Sequence, residues 1–202
     1  MTKKAKHDPA GQASSEGWSE RLSRPGIPTT YRGVRFRSRL EAKWAAFFDG
    51  LGWPWEYEPF DLNGYIPDFV LPFDAGPLLV EVKPDTDAAG LRKHAGKIAA
   101  SGWDKEALIV GATIRNDGFG FGPVIGEIGI VSPGETPPLY TNEAALIRCR
   151  KCRKIFPIDT VMVWNCRVCG EYDGDGHLIP IEFDEARSIW VEAANRVQWR
   201  AR

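Results

Sequence analysis

The sequence lacks three features that mark other classes of protein: a long apolar run, a secretory signal pattern and an excess of charge of one sign. No run of eighteen apolar residues occurs, so we expect no segment that crosses a membrane. The start, MTKKAKHDPAGQ, contains lysines but no apolar stretch follows them, so we expect no secretory signal and a cytoplasmic location. Charge of one sign is not in excess either, since 26 Lys and Arg stand against 27 Asp and Glu. Any contact with nucleic acid must therefore come from local basic patches.

Cysteine is also scarce, and its few copies are paired. The four cysteines form two C-x-x-C pairs separated by thirteen residues: Cys149, Cys152, Cys166 and Cys169. In a cytosolic chain this arrangement favours metal binding over disulfides. The spacing is typical of a zinc ribbon with tetrahedral coordination by four thiolates, a site with no open position, so we expect one structural zinc ion. A thioredoxin-like redox role would need a single pair beside a strand–helix–strand unit.

Composition divides the chain into four regions. The first is rich in Lys, Ser, Gly and Pro and is interpreted as a flexible tail. The second has the apolar periodicity of a folded core, the third carries the cysteines, and the last has an apolar stripe at helical spacing. The predicted regions are the tail 1–29, the core 30–142, the zinc ribbon 143–180 and an amphipathic C-terminal helix 181–202.

Hydrophobic periodicity predicts an α/β fold for the core. A short strand (31–36) precedes a helix (38–52), and the dipeptide Asn63-Gly64 marks a hairpin between the next two strands. A third strand ends at Pro84, a second helix follows, and two apolar runs of strand length complete the core. These later elements are the strands 77–83, 106–114 and 124–131 and the helix 85–102. The order predicts a mixed β-sheet core flanked by helices.

The strand GPLLVEVKP carries two charged side chains in an apolar setting. Residues two apart on a strand point to the same face, so Glu81 and Lys83 project together. The preceding strand, YIPDFVLPF, places Asp68 where it can lie beside Glu81 across the sheet. Two carboxylates that converge with a lysine offer hard oxygen ligands for Mg²⁺ and a cation for the charge of a phosphate. The pattern indicates a metal-dependent site for phosphate chemistry.

One short set of residues resembles a known nuclease motif. It consists of Pro67, Asp68, Glu81, Val82 and Lys83, and it is similar to the PD-(D/E)XK motif of the restriction-endonuclease-like superfamily. Glu41, in SRLEAKW, matches a further glutamate that members commonly carry on the first helix. The stretch 31–115 is also similar to the endonuclease subunits of heteromeric transposases and to small phage nucleases. The resemblance implies a restriction-endonuclease-like fold with the order helix, three strands, helix, strand.

The resemblance also implies roles for these residues. The ligands of one or two Mg²⁺ (or Mn²⁺) ions would be Asp68, Glu81, the carbonyl of Val82 and Glu41. The metal lowers the pKa of a water that attacks the phosphodiester in line and leaves a 5′-phosphate. Lys83 would orient that water or stabilise the charge of the transition state. The expected catalytic residues are Glu41, Asp68, Glu81 and Lys83.

Each assignment has a structural alternative. Glu81 and Lys83 can form an ion pair that protects an edge strand from aggregation, although this leaves the aspartate of the preceding strand unexplained. Glu41 lies three residues after Ser38, which is also the spacing of a capping box. If Glu41 is only a cap, Glu58 becomes the replacement ligand. In the second helix we interpret the basic residues as solvated, with phosphate contact as the alternative: Lys93, His94 and Lys97.

Two clusters of basic residues are candidates for nucleic-acid contact. The first precedes the first helix, and its alternation places it on one face of a strand: Arg35, Arg37 and Arg39. The second surrounds the first cysteine pair: Arg150, Lys151, Arg153 and Lys154. Both patterns are typical of surfaces that contact phosphates. A solvated edge strand explains the first cluster equally well, and neutralisation of the net negative charge of a four-thiolate zinc site explains the second.

Together these features predict a Mg²⁺-dependent DNA endonuclease whose zinc ribbon helps to bind DNA, with RNA not excluded. Two alternatives stay open. One is a catalytically inactive nucleic-acid-binding module, and the other is a nuclease subunit that is active only within a larger transposase, recombination or phage assembly. We expect no membrane partner, and a homodimer or a larger nucleoprotein assembly is compatible with the sequence.

Overall fold

The computed structural model describes residues 26–116, 120–131, 139–161, 165–172, 174 and 176–198. Most of the predicted tail therefore lies outside the described residues. The first described elements are the strands β1 (Thr29–Tyr31) and β2 (Val34–Phe36), which pair antiparallel across Arg32 and Gly33. Both turn residues have positive φ, +47° and +81°. The prediction of one strand over 31–36 is wrong, because this turn folds the segment into a two-stranded hairpin.

The first helix, α1 (Arg39–Leu51), is the helix predicted from the aromatic periodicity. Ser38 caps its N-terminus, since the serine hydroxyl accepts the backbone N–H of Glu41 at 3.1 Å. Gly52 ends the helix with φ of +70°, in the left-handed region that favours glycine. The aromatic side chains of α1 are fully buried: Trp44, Phe47 and Phe48.

One mixed sheet of eight strands follows α1. Its strands are β3 (Glu56–Tyr57), β4 (Phe69–Phe73), β5 (Gly76–Val82), β6 (Glu106–Asn116), β7 (Pro123–Val131), β8 (Leu139–Cys149), β9 (Ile155–Asp159) and β10 (Leu178–Pro180). The order across the sheet is β8-β7-β6-β5-β4-β3; β10 pairs with β8 beyond the end of β7, and β9 pairs with the opposite edge of β8. Among the described strands of this sheet, β5 and β6 form the one parallel pair, which requires a crossover connection.

Helices cover both faces of this sheet. The crossover contains α2 (Ala88–Arg92) and α3 (Ala95–Ala100), which pack on the face that carries the side chains of Leu79 and Ile109. On the opposite face lie α1 and the C-terminal helix α4 (Phe183–Arg196). The predicted mixed sheet flanked by helices is confirmed at this level, while the restriction-endonuclease-like assignment stays a prediction. The single helix predicted over 85–102 is wrong, since it is divided into α2 and α3.

The cysteine region extends the main sheet. Cys149 ends β8 and pairs with Leu178 of β10, while β9 pairs with the other edge of the same strand. The predicted boundary at 142/143 falls inside β8, where Asn142 and Glu143 pair with β7. The ribbon is therefore continuous with the sheet through shared backbone hydrogen bonds.

The predicted C-terminal stripe is buried in α4, through Ala186, Trp190 and Ala193. Trp190 packs against Trp44 of α1 with 4.6 Å between ring centroids, which holds the two helices together. Residues 199–202 of the predicted helix lie outside the described residues. No helix in the described part of the chain is long and apolar enough to cross a membrane.

Candidate functional site

Strands β4 and β5 bring two buried carboxylates together. Phe69 pairs with Val80, so Asp68 and Glu81 occupy the next positions of the antiparallel ladder. Asp68 is 4% exposed and Glu81 is 6% exposed. Buried carboxylates are costly unless partners compensate their desolvation, so the contacts of each one define the site.

Asp68 is held by one backbone and one side-chain donor. Its Oδ2 accepts the Val82 N–H at 2.7 Å, and its Oδ1 lies 2.5 Å from Nη2 of Arg37. Burial, followed by the charge of Glu81, raises the pKa of Asp68 to about 7. The hydrogen bond from the Val82 N–H and the charge of Lys83 oppose that rise in pKa, because both stabilise the ionised carboxylate. A carboxyl group with this pKa exchanges its proton near neutral pH.

Glu81 has one donor on each carboxylate oxygen. Lys83 forms an ion pair with Oε1, and the phenol of Tyr65 donates to Oε2 at 2.8 Å. The predicted turn at Asn63-Gly64 brings Tyr65 to Glu81. The two turn residues have φ of +55° and +88°, and residues 62 and 65 exchange backbone hydrogen bonds across them. Burial and the charge of Glu81 raise the pKa of Tyr65, which therefore stays protonated and keeps donating.

Glu41 accepts three hydrogen bonds at the start of α1. The phenol of Tyr57 donates to its Oε2 at 2.6 Å, the backbone N–H of Arg37 donates to the same oxygen at 3.2 Å, and the Ser38 hydroxyl donates to Oε1 at 2.7 Å. The side chain thus binds the N–H of Arg37, whereas a capping box binds that of Ser38. Glu41 is 8% exposed and faces the site rather than solvent.

Arg37 connects the acidic residues of the site. Its Nε lies 2.8 Å from Glu58 in addition to the contact with Asp68, and Glu41 lies within 4.0 Å. Although burial favours the neutral guanidine, the charge of Asp68 and the hydrogen bond to Tyr57 raise the pKa of Arg37 above its usual range. Glu58, the alternative ligand, has φ of +47°, a conformation that non-glycine residues seldom adopt.

A cleft of about 480 Å³ opens beside these groups. Its wall contains Glu41 from α1, Val82 and Lys83 from the end of β5, and Arg39 at the helix start. Among the carboxylates of the site Glu41 lines the cleft, and Lys83, the ion-pair partner of Glu81, lies in the same wall.

The donor set of Asp68, Glu81 and the Val82 backbone fits Mg²⁺, which prefers hard oxygen ligands. Glu41 does not join them in one compact group. Within the described residues, the four cysteines are the one group of three or more Cys, His, Asp or Glu whose ligand atoms all lie within 4.8 Å of one another. Glu41 therefore lies to one side of the two carboxylates and is connected to Asp68 through Arg37, which contacts both.

The four cysteines form a site that can hold zinc. The Sγ atoms of Cys149 and Cys169 are 3.8 Å apart, and those of Cys152 and Cys166 are 3.6 Å apart. Ligand sulfurs at the usual Zn–S distance in a tetrahedron are separated by about 3.8 Å. A disulfide would require about 2.05 Å. The predicted cysteine cluster is thus confirmed, and its geometry fits one structural zinc ion.

The two cysteine pairs have the same local backbone. The residue after the second cysteine is left-handed in each, with φ of +65° at Arg153 and +71° at Gly170. The N–H of that residue turns back to the first cysteine carbonyl of its pair, at 2.8 Å and 2.9 Å respectively. Both pairs therefore present their sulfurs inward from tight turns, which prearranges the four ligands.

The two predicted basic clusters differ in how many of their cations are already paired with carboxylates. Arg35 lies in β2, Arg37 follows it and Arg39 opens α1, so the predicted common strand face is wrong because β2 ends at Phe36. Arg35 and Arg39 are exposed, whereas Arg37 is engaged with the carboxylates.

In the second cluster Lys151 pairs with Glu171. The other members are exposed and form no ion pair with a described residue: Arg150, Arg153 and Lys154. These three cations therefore keep their capacity to bind phosphate, and Lys151 has a partner that competes with it.

Sequence reasoning missed Tyr57 and Tyr65, the phenols that position Glu41 and Glu81. The hairpin signal at Asn63-Gly64 could have found Tyr65, which follows the turn directly. No local signal marks Tyr57, since its partner lies sixteen residues away.

Comparison of the chain with protein-family models, with curated proteins and with solved structures found no match.

Proposed function

We propose that this chain is a Mg²⁺-dependent nuclease that acts on DNA. The observation that carries the proposal is the burial of Asp68 and Glu81 side by side at the end of β5, with Lys83 next to them. Two adjacent buried carboxylates repel each other and cost folding free energy. A divalent cation held by both carboxylates would remove that cost, and a cleft lined by Glu41, Val82 and Lys83 opens next to them.

The residues of the chain divide the work of phosphodiester hydrolysis. Bound Mg²⁺ would lower the pKa of a water and polarise the phosphoryl group. The Val82 N–H fixes Asp68, and Tyr65 fixes Glu81, so both ligands are oriented before substrate arrives. Lys83 stabilises the negative charge that develops on the phosphoryl oxygens. The oxygen of water bonds to phosphorus, the bond to the 3′ oxygen breaks, that oxygen takes a proton, and a 5′-phosphate is left.

The test is cleavage of supercoiled plasmid, linear duplex and single-stranded DNA, with RNA as a further substrate. Each is incubated with Mg²⁺, with Mn²⁺ or without either ion. Omission is preferable to a strong chelator, since a chelator also removes zinc. We expect cleavage with Mg²⁺ or Mn²⁺ and none without them.

Asp68→Asn should abolish cleavage while the protein stays folded. Asp74→Asn is the matched control, because Asp74 is exposed in the turn between β4 and β5 and forms no ion pair with a described residue. Full activity of Asp68→Asn would refute the nuclease proposal.

A catalytically inactive nucleic-acid-binding module is the second candidate. It is favoured by Arg37, which already neutralises Asp68 and Glu58, so the carboxylates have cationic partners without a metal. In that case the parent protein binds DNA with the same affinity with and without Mg²⁺ and cleaves no substrate. Weak cleavage by the isolated chain would instead favour a subunit of a larger assembly.

A further inference from the structure

A histidine–aspartate pair lies just beyond Lys83. The segment 83–85 stays hydrogen-bonded to β6: the Lys83 N–H donates to the carbonyl of Val110, and the Ala112 N–H donates to the carbonyl of Asp85, each at 2.9 Å. Pro84 forms a bend between the two bonds, so β5 does not continue as a regular strand. Asp85 lies two residues after Lys83, with at most about 7 Å between their Cα atoms.

Asp85 holds His94 at the break between α2 and α3, where His94 Nε2 lies 2.9 Å from Asp85 Oδ2. Two glycines make room for the aspartate. A Cβ at Gly90 would lie 2.6 Å from Asp85 Oδ1, and a Cβ at Gly111 would lie 2.5 Å from the Asp85 carbonyl oxygen. Neither glycine has a positive φ, so the close approach of Asp85 is the feature that requires them. The imidazole of His94 is thus held in place by a closely packed aspartate.

Two exposed lysines lie close to His94 in the chain. Its side chain is 28% exposed, and Lys93 and Lys97 beside it are exposed and form no ion pair with a described residue. Arg92, by contrast, is engaged with the buried Glu127. Two acids lie close by and are also engaged, since Asp85 holds His94 and Asp87, the N-cap of α2, accepts the Gly90 N–H. The junction therefore presents the two exposed ammonium groups of Lys93 and Lys97 to an anion.

We propose that Lys93 and Lys97, held in place by the contact of His94 with Asp85, bind the backbone phosphate next to the one that is cleaved. The proposal rests on the proposed nuclease function, because Lys83 marks the position of the scissile phosphate. A nucleic-acid strand that continues past Lys83 over the end of β5 meets this junction next. Lysine, histidine and other donors to phosphate oxygens fix the register of a strand without reading its sequence. The site would thus position substrate and take no part in the chemistry.

The experiment first maps the cleavage position in a short duplex with the parent protein. Duplexes are then made in which one phosphate flanking that position, on either side, is replaced by a neutral methylphosphonate. Binding is measured by fluorescence anisotropy in the Asp68→Asn background, which prevents cleavage. The test variant is the double change Lys93→Ala with Lys97→Ala. Lys105→Ala is the control, since Lys105 is exposed at the opposite end of β6.

We expect one methylphosphonate to weaken binding at least threefold in the Lys105→Ala control, and to have no further effect in the double lysine variant. The double variant should also lower the log–log salt slope by about 0.9 for each phosphate that it no longer neutralises. Equal weakening of all variants by the methylphosphonate would overturn the proposal while leaving the nuclease function intact. No cleavage by the parent with any metal would instead refute the nuclease function, and this proposal with it.

Discussion

Arg167 and Glu106 form a bidentate ion pair that joins the second cysteine pair to the first residue of β6. Nη1 and Nη2 of the guanidinium lie 2.6 and 2.9 Å from the two carboxylate oxygens, and Nε donates to the Pro157 carbonyl at 2.6 Å. Since β6 pairs with β5, the strand that carries Glu81, this ion pair links the cysteine region to the strand next to the carboxylate site.

Replacement of Arg167 should therefore weaken the whole sheet. Arg167→Lys keeps the charge but removes the bidentate geometry and the hydrogen bond to Pro157. We expect a decrease of roughly 1–3 kcal/mol in the free energy of unfolding, less than for a fully buried pair because Glu106 is one-third exposed. Urea unfolding of the zinc-loaded protein measures it.

The matched control is Arg150→Lys. Arg150 occupies the same position in the first cysteine pair as Arg167 in the second, but its side chain is exposed and forms no ion pair with a described residue. A change within about 0.5 kcal/mol is expected there. Equal stability of the two variants would show that the Arg167–Glu106 pair does not stabilise the junction between the cysteine region and the main sheet.

The raised pKa of Asp68 predicts an unusual dependence of stability on pH. An aspartate in the unfolded chain titrates near 3.9, whereas Asp68 in the folded protein titrates near 7. Between about pH 4 and pH 7 the folded protein holds a proton that the unfolded chain has released, so the free energy of unfolding falls as pH rises through this window. Ionisation of Asp68 over the same window should increase the affinity for Mg²⁺.

Asp68→Asn removes the pH dependence that Asp68 gives to the free energy of unfolding, because asparagine does not titrate. Without Mg²⁺, its stability relative to the parent should increase from pH 4 to pH 8, as measured by thermal melting at each pH. The other titrating groups are common to both proteins and largely cancel in the difference. A difference that does not vary with pH would mean that Arg37 keeps Asp68 ionised throughout.

Zinc should be required for the folding of the ribbon strands. Purified protein should contain one zinc ion per chain by atomic emission. Cys169→Ser should lose the ion and lower the melting temperature, because zinc binding contributes to the folding free energy of such a site. Cys169→His should retain zinc, since three cysteines and one histidine are also a common ligand set. Full stability of Cys169→Ser without zinc would contradict this role.

The exposed cations around the first cysteine pair should contribute to DNA binding, and a cation that already has an ion-pair partner should contribute less. Removal of Arg153 and Lys154 together should lower the log–log salt slope by about 0.9 for each phosphate left without a cation. Lys151→Ala should change the slope less, because Lys151 already pairs with Glu171. A slope that none of these changes alters would mean that the cations only balance the charge of the cysteine site.

The features predictable from sequence are those that depend on local periodicity. The common face of Glu81 and Lys83 follows from the two-residue repeat of a strand, and the turn at Asn63-Gly64 follows from its backbone preference. The cysteine cluster follows from spacing alone.

The features that sequence did not predict depend on pairing between distant segments. The contact of Arg37 with Asp68 joins residues 31 positions apart, and it needs both the hairpin of β1 and β2 and the start of β4 to be in place. The break at His94 depends on Asp85, which only the pairing with β6 brings into reach. The continuity of the ribbon with the sheet was missed because composition changes near residue 145 while the strand does not end there.

One conservative substitution, Glu41→Gln, distinguishes a structural from a catalytic role for this residue. The cap of α1 uses the Ser38 hydroxyl and the backbone N–H of Glu41, so Glu41→Gln leaves it intact. Glutamine can also accept from Tyr57, and the cost to stability should be a few tenths of a kcal/mol. If the negative charge of Glu41 supports the metal, a neutral amide is a poor substitute. Cleavage should then fall at least about tenfold, or roughly 1.4 kcal/mol of transition-state stabilisation.

Tyr57→Phe is the complementary control, because it removes the phenol hydrogen bond that Glu41→Gln can keep, and it leaves the charge of Glu41 unchanged. Its cleavage rate should fall less than that of Glu41→Gln, and its melting temperature should fall more, since a buried acceptor loses its partner. Higher Mg²⁺ should restore part of the activity of Glu41→Gln but not the stability of Tyr57→Phe. If Glu41→Gln cleaves like the parent, Glu41 serves only to hold the start of α1, and Glu58, which already binds Arg37, becomes the next carboxylate to replace.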